Sequence, residues 1–225
     1  SFWPAAAAIM AALIFGMLAS VFSTHLGRDT REILFVVAMA AVLALATWLR
    51  ARGMDDPFCH QDGPWRIQLG SCSLLDLITM RAHDYRHPPM MAILLHAVRW
   101  FDGSEAAYRL PFVVLSSAGV LATGLLARKL AGRWAGFATA LACATLHPLV
   151  LVGREIGSSA LFTLAAPVVL LVYLWASERP SGSRTLVLGL VDALAVWAHY
   201  FSLVLVFMQL LHALLSSRLR WSRLV

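Results

Sequence analysis

Long apolar stretches alternate with short polar links along this chain. A bilayer core of about 30 Å needs roughly 20 helical residues, and most of the stretches approach that length. We expect hydrophobic segments at residues 2–22, 33–49, 90–101, 110–126, 134–152, 159–176 and 185–216. The pattern therefore predicts an all-α fold, a polytopic transmembrane helix bundle of about seven or eight segments, because backbone polar groups in lipid must be satisfied within helices.

The last apolar stretch, residues 185–216, is longer than one membrane crossing requires. Its 32 residues would extend about 48 Å as a continuous helix. The helix must either tilt strongly or break. The polar and aromatic group His199-Tyr200-Phe201-Ser202 marks the place for a break. We favour the break, which would put His199 near the junction of two short helices.

A polar loop, residues 50–87, separates the second and third apolar stretches, and His87 closes it. The Pro88-Pro89 step that follows should fix how the loop meets the next helix, because each proline locks its φ angle and lacks an N–H. Within the loop, residues 71–81 predict a short amphipathic helix, either lying in the membrane interface or serving as an ordinary loop helix. Trp65 suits an interface anchor.

Composition strengthens the membrane interpretation. The chain has 225 residues, of which 60% are hydrophobic and 13% charged, whereas soluble domains are about 45–50% apolar and about 25% charged. The net charge of +6 is the difference between 18 basic and 12 acidic residues, and Lys129 is the single lysine. These residues sit in short links, which favours contact with anionic lipid headgroups over nucleic acid binding. Arginines fall at both ends of the predicted bundle, so charge does not decide its orientation.

Cysteine spacing and three of the histidines give no sign of a metal centre. No CxxC pair occurs, and His96, His147 and His212 have no His or carboxylate partner at i,i+4, so we expect no metal site at these residues. Cys59 and Cys72 share the loop, where they are either a disulfide facing an oxidising compartment or small buried residues. The three histidines are expected to make isolated interhelical polar contacts.

Ionisable residues inside apolar stretches are functional candidates because burying them in lipid is costly. Asp192 and His199 lie seven residues apart and would share one face of a continuous helix. An equally good interpretation of Asp192 is a structural residue at the membrane interface, hydrogen-bonded to a neighbouring side chain. In the loop, Asp62 stands in a turn-like setting and could act as a general base, with Asp55 and Asp56 as alternatives by composition alone.

Several short motifs, in order, resemble the N-terminal module of GT-C glycosyltransferases, which include protein O-mannosyltransferases and the aminoarabinose transferases of lipid A. The motifs are His87-Pro88-Pro89-Met90, Trp100-Phe101-Asp102-Gly103-Ser104-Glu105, Tyr108-Arg109-Leu110-Pro111, Ala127-Arg128-Lys129-Leu130-Ala131-Gly132 and His199-Tyr200-Phe201. The resemblance implies that residues 1–225 form one N-terminal transmembrane module, a fragment of a longer enzyme, with residues 50–87 as an extracytoplasmic loop.

The resemblance also selects residues. The family places an Asp-Glu pair about 25 residues before its HPP step, which matches Asp62, although Gly63 replaces the Glu. After the fifth stretch the family motif keeps its Glu as Glu155, but Gly157 and Ser159 stand where Arg and Tyr are expected. Arg154, one turn away, could supply the missing charge.

The implied reaction is displacement at a sugar's anomeric carbon, from a polyprenyl-phosphate sugar donor to an unidentified acceptor. Asp62 would be the catalytic base. The expected substrate-binding residues are Arg86, His87, Arg154, Glu155, His199 and Tyr200. No cofactor is indicated, and a requirement for a divalent metal stays open. The implied location is a bacterial plasma membrane, with membrane lipid as a further partner.

Two other classes of function remain. The Gly63 and Gly157 departures favour a catalytically inactive relative that binds lipid-linked sugar. Asp192 and His199 favour a polytopic transporter, although the chain shows no inverted repeat.

Overall fold

The computed structural model describes residues 30–52, 54, 62–79, 81, 88–100 and 104–221, and within these ranges the chain is helical without strands. The helices are α1 (Thr30–Ala51), α2 (Asp62–Gly70), α3 (Leu74–Ile78), α4 (Met90–Val98), α5 (Glu105–Ala131), α6 (Arg133–Thr145), α7 (His147–Arg154), α8 (Ser158–Glu178), α9 (Gly182–Ala198) and α10 (Ser202–Trp221). The all-α prediction is therefore confirmed. The predicted segment at residues 2–22 lies outside the described ranges.

Three described helices, α1, α5 and α8, are long and apolar enough to cross a membrane. The bent pair α6 and α7, which meet at 63°, forms a fourth candidate if it is counted as one span. The chain is thus an integral membrane protein, but the count of seven or eight segments is not confirmed. The apolar stretch after the loop forms only the nine-residue α4, about 14 Å long and too short to cross.

The bundle has two distinct ends, and side-chain contacts identify them. At the loop end, Arg154 Nε and Nη2 on α7 donate to the Leu49 carbonyl of α1 over 3.1 and 2.7 Å. At the opposite, basic end, Arg128 Nη2 on α5 lies 2.6 Å from Glu32 Oε2 on α1. Lys129 there pairs with Glu178 at the end of α8 over 2.5 Å. Successive long helices therefore run in alternating directions.

A buried arginine stabilises the break between α6 and α7. Pro148 lacks an N–H, so the Ala144 carbonyl loses its partner within the helix. Arg50 of α1 is 2% exposed, and its Nη1 lies 3.4 Å from that oxygen. Its Nη2 donates to the carbonyls of Cys143 and Leu149 over 3.1 and 3.4 Å. A side chain from another helix thereby satisfies backbone groups that lipid cannot.

Close helix packing at the centre of the bundle depends on a glycine. A Cβ atom at Gly119 of α5 would lie 2.6 Å from the backbone oxygen of Thr163 on α8. Such a distance is well inside van der Waals contact, so only glycine lets these two backbones approach so closely.

An apolar core attaches the loop helices to the bundle. Leu69 of α2, Leu77 of α3 and Leu95 of α4 are almost fully buried. They belong to one cluster with residues of the bundle, namely Tyr108, Phe112, Ile156, Ala160, Leu161 and Ala198. The short helices are thus packed on the end of the bundle, which fixes the position of the loop relative to the α7–α8 link.

Two predictions about local structure have clear outcomes. The helix expected at residues 71–81 forms only over Leu74–Ile78, where Ser73 Oγ accepts from the Asp76 N–H over 3.1 Å. The break expected near His199 is confirmed, because α9 ends at Ala198 and α10 begins at Ser202.

Candidate functional site

Three polar features meet at the loop end of the bundle. They are the start of α2, the link between α7 and α8 that contains Glu155, Ile156 and Gly157, and the corner between α9 and α10. The shared core beneath them contains Leu69 from α2, Ile156 from the link and Ala198 from the end of α9. These features form the candidate site.

Asp62 is the first residue of α2 and does not lie in the turn that the sequence suggested. The misleading signal was Gly63-Pro64, which is typical of turns. Proline is also well tolerated in the first turn of a helix, where its missing N–H costs nothing, and a carboxylate there is favoured by the helix dipole. The backbone of Asp62 is described, whereas its side chain lies outside the described part of the structure.

Arg66, one turn after Asp62, connects α2 to the link. Its Nη1 donates a hydrogen bond to the Ile156 carbonyl. The same nitrogen lies 3.3 Å from the position that a Cβ atom would take at Gly157. The guanidinium therefore lies beside the backbone position at which the resemblance leads one to expect an arginine. Sequence reasoning missed Arg66, although its i,i+4 spacing from Asp62 would have been a signal if α2 had been recognised.

Arg154 and Glu155 mark the end of α7. Two nitrogens of the Arg154 guanidinium are bound to the Leu49 carbonyl, so this side chain joins the ends of α7 and α1. Glu155 follows in an extended conformation, with φ −81° and ψ 145°, and is half-buried. The structure therefore places Glu155 in the link beside Ile156 and Gly157. A donor-binding role for either residue stays a prediction.

His199 shapes the corner between α9 and α10. Its Nδ1 accepts from the Phe201 N–H over 3.2 Å, and its ring stacks on the Phe201 ring at 5.4 Å. The His199 ring also lies 5.0 Å from that of Phe162, in the second turn of α8. This contact joins the corner to the helix that starts at the α7–α8 link. Tyr200, 38% exposed, projects from the same corner.

The structure brings some predicted residues together and leaves others apart or undescribed. Arg86 and His87 lie outside the described residues, whereas Pro88 and Pro89 are buried directly before α4. Asp192 accepts from Gln209 Nε2 of α10 over 3.3 Å. The break at His199 removes the shared-face argument that linked Asp192 and His199.

The remaining polar candidates have local roles. His96 Nδ1 on α4 lies 2.9 Å from the Cys72 carbonyl, and Tyr173 OH lies 2.5 Å from His212 Nδ1 across α8 and α10. Cys72 is a free thiol, and Cys59 lies outside the described residues. His147 is exposed at the start of α7. Within the described ranges, no group of three or more His, Cys, Asp or Glu residues is placed to hold a metal ion.

Comparison with protein families identifies the family of this chain. No curated protein matches the chain, and no solved structure does. The sequence profile of the dolichyl-phosphate-mannose-protein mannosyltransferase family matches residues 86–225, which is more than half of the chain. The match includes the α7–α8 link and the His199 corner. The chain belongs to the dolichyl-phosphate-mannose-protein mannosyltransferase family, a family of membrane glycosyltransferases of the GT-C type.

Proposed function

We propose that this chain is the N-terminal membrane module of a glycosyltransferase that takes a sugar from a polyprenyl-phosphate donor at the loop end of the bundle. The family match over residues 86–225 supports the reaction class. The observation that carries the site is the Arg66 hydrogen bond to Ile156, because it brings the helix that begins with Asp62 onto the α7–α8 link.

In the proposed reaction, an acceptor oxygen or nitrogen attacks the anomeric carbon of the sugar. The bond from that carbon to the phosphate oxygen breaks, and the polyprenyl phosphate leaves with the bonding electrons. Asp62 takes the proton from the acceptor as general base. Arg86 and His87 are proposed to hold the departing phosphate, since hydrogen bonds between cationic side chains and phosphate are strong. Glu155, His199 and Tyr200 line the sugar-binding side of the site.

Arg66 is proposed to join the phosphate-binding group. Gly157 stands where the related motif has an arginine, and the Arg66 guanidinium lies beside it. We propose that this cation from α2 takes over the role of the missing arginine. Arg154 is better suited to hold α7 against α1, because two of its guanidinium nitrogens are bound to Leu49.

We infer that the loop end faces the extracytoplasmic side of a bacterial plasma membrane. The opposite end carries Arg128 and Lys129 in the last turn of α5 and Arg133 as the first residue of α6. Short cytoplasmic loops are rich in Lys and Arg, so this charge agrees with the orientation. Arginines also lie at the loop end, so the inference rests on the extracytoplasmic loop that the family resemblance implies. The sugar and the acceptor are open in this proposal.

The test is sugar transfer by the full-length enzyme from a polyprenyl-phosphate sugar, with Asp62→Asn compared with Asp76→Asn. Asp76 belongs to the same loop, but its carboxylate binds Ser73 Oγ over 2.6 Å, an interaction that Asn can also make. We expect Asp62→Asn to lower the rate of transfer about 10²–10⁴-fold. Asp76→Asn should remain near the wild-type rate. Equal rates for Asp62→Asn and wild type would reject Asp62 as the base.

A second candidate function, binding of lipid-linked sugar without transfer, is favoured by Gly63, which replaces the expected acidic residue. The same assay separates the two functions. Donor binding by the wild-type enzyme, with no transfer to any acceptor class offered, would support the inactive relative.

Arg66 has its own test. Arg66→Ala should weaken donor binding about 10–100-fold, the range for a lost hydrogen bond to a charged group. Arg81→Ala, which removes an exposed arginine from the same loop, is the control. Weakening of the same size in both variants would indicate a general charge effect and would argue against a specific contact.

A further inference from the structure

A cavity lies at the basic end, far from the candidate site. It is a groove of about 650 Å3 between the first half of α1 and the start of α6. Among the residues that the structure describes, its walls are mainly apolar, formed by Leu34, Phe35, Ala38, Trp134 and Phe137, and Arg133 is the charged one. The volume falls in the usual range of small-ligand pockets.

The groove opens beside an ion-pair group with an excess of positive charge. Glu32 pairs with Arg128 over 2.6 Å and with Arg133 over 3.4 Å. Two guanidinium groups thus share one carboxylate, so this group of three has a net charge of +1. Its side chains remain 21–37% exposed, while Arg133 Nη1, which faces Glu32, is buried. An anion would therefore approach Arg133 through the rest of its guanidinium group.

The apolar part of the groove suits a hydrocarbon chain at the edge of a bilayer. Leu34 is 63% exposed and Trp134 is 85% exposed. Tryptophan is enriched where a membrane meets water, because its ring is apolar and its N–H is polar. Phe35 continues inward to the apolar core between α1, α5 and α6. Charge and hydrocarbon are therefore arranged in the order of a phospholipid, headgroup outside and chain inside.

We propose that this groove binds one anionic phospholipid, with its phosphate at Arg133 and an acyl chain against Leu34, Ala38 and Phe137. Basic pockets between transmembrane helices favour anionic headgroups, and each basic residue near the surface contributes about a fivefold preference. The site is independent of the proposed sugar transfer. It would anchor α1 to α6 at the end of the bundle opposite the loop.

The experiment is native mass spectrometry of the delipidated full chain, titrated with phosphatidylglycerol and with phosphatidylcholine. We expect one phosphatidylglycerol to bind at least fivefold more tightly than phosphatidylcholine. Arg133→Gln should remove this preference, and Arg133→Lys should keep most of it. Ala38→Phe, which fills the groove and leaves the charges in place, should weaken binding of both lipids.

Arg184→Gln is the matched control. Arg184 lies near the start of α9 at the same end of the bundle, where its Nη1 donates to the Trp175 carbonyl over 2.8 Å. It does not line the groove. Equal losses in Arg184→Gln and Arg133→Gln, equal binding of the two lipids, or unchanged binding in Ala38→Phe would each overturn the proposal. Disulfide trapping between Ala38→Cys and a cysteine placed within residues 2–22 would overturn it too, by showing that the chain itself fills the groove.

Discussion

The close approach of α5 and α8 at Gly119 leads to a sharp prediction about stability. In Gly119→Ala, the new methyl group would lie 2.6 Å from the Thr163 oxygen and 2.8 Å from its carbonyl carbon. Ordinary contacts begin near 3.4 Å, so the backbones must separate by about 0.8 Å. The obstructing atoms belong to a helix backbone, which cannot move aside as a flexible side chain can.

The magnitude follows from two opposing effects. Overpacking a well-packed core costs about 1–3 kcal/mol, and the rigid neighbour places this site near the upper limit. Replacing glycine by alanine within a helix returns about 1 kcal/mol. We therefore expect a net destabilisation of about 2 kcal/mol for Gly119→Ala. With about 2–4 °C per kcal/mol for a chain of this size, the midpoint of unfolding should fall by about 4–8 °C.

The assay is thermal unfolding of the detergent-purified chain, followed by intrinsic tryptophan fluorescence. Gly189→Ala is the matched control, since a Cβ atom at Gly189 of α9 has open space around it. It should leave the midpoint unchanged or raise it slightly. If the midpoint of unfolding of Gly119→Ala equals or exceeds that of Gly189→Ala, α5 and α8 do not pack so closely.

Two further predictions concern the loop end. Arg50→Leu should lower the free energy of unfolding by about 3 kcal/mol or more, and with it the midpoint, because several carbonyls at the α6–α7 break lose their donor. Arg52→Leu, at an exposed position, should have little effect. Equal effects of the two substitutions would refute this role of Arg50. Cys72 should react with a maleimide in the unfolded chain without prior reduction, because its thiol is free. The reaction is measured by the mass shift in a Cys143→Ala background. A reaction that requires reductant would show that Cys72 is in a disulfide.

The long helices were predictable because their apolar stretches match the thickness of a bilayer. Hydropathy placed the ends of α1 and α8 to within three residues and those of α5 to within five. It failed for the stretch after the loop, since apolar composition alone does not distinguish a spanning helix from the short α4 packed on the loop core. Residues 134–152 read as one span, although Pro148 was a local signal for the bend.

The site was less predictable because its contacts join distant parts of the sequence. The Arg66 hydrogen bond connects residues 90 positions apart, and the Arg154 bonds to Leu49 connect residues 105 positions apart. No local pattern encodes such a pairing. The motif spacing led to Asp62 and the α7–α8 link separately. Only the structure shows that Arg66 brings α2 to that link.

The Arg50 contacts also affect the order in which the helices of this protein insert into the membrane. Helices α6 and α7 have 13 and 8 residues, so neither can cross a bilayer alone. The carbonyls freed at their junction require the guanidinium of α1. Stable insertion of the broken pair therefore depends on a helix that is synthesised about 80 residues earlier. Biogenesis would then be sequential, with α1 retained beside the insertion machinery until α6 and α7 arrive.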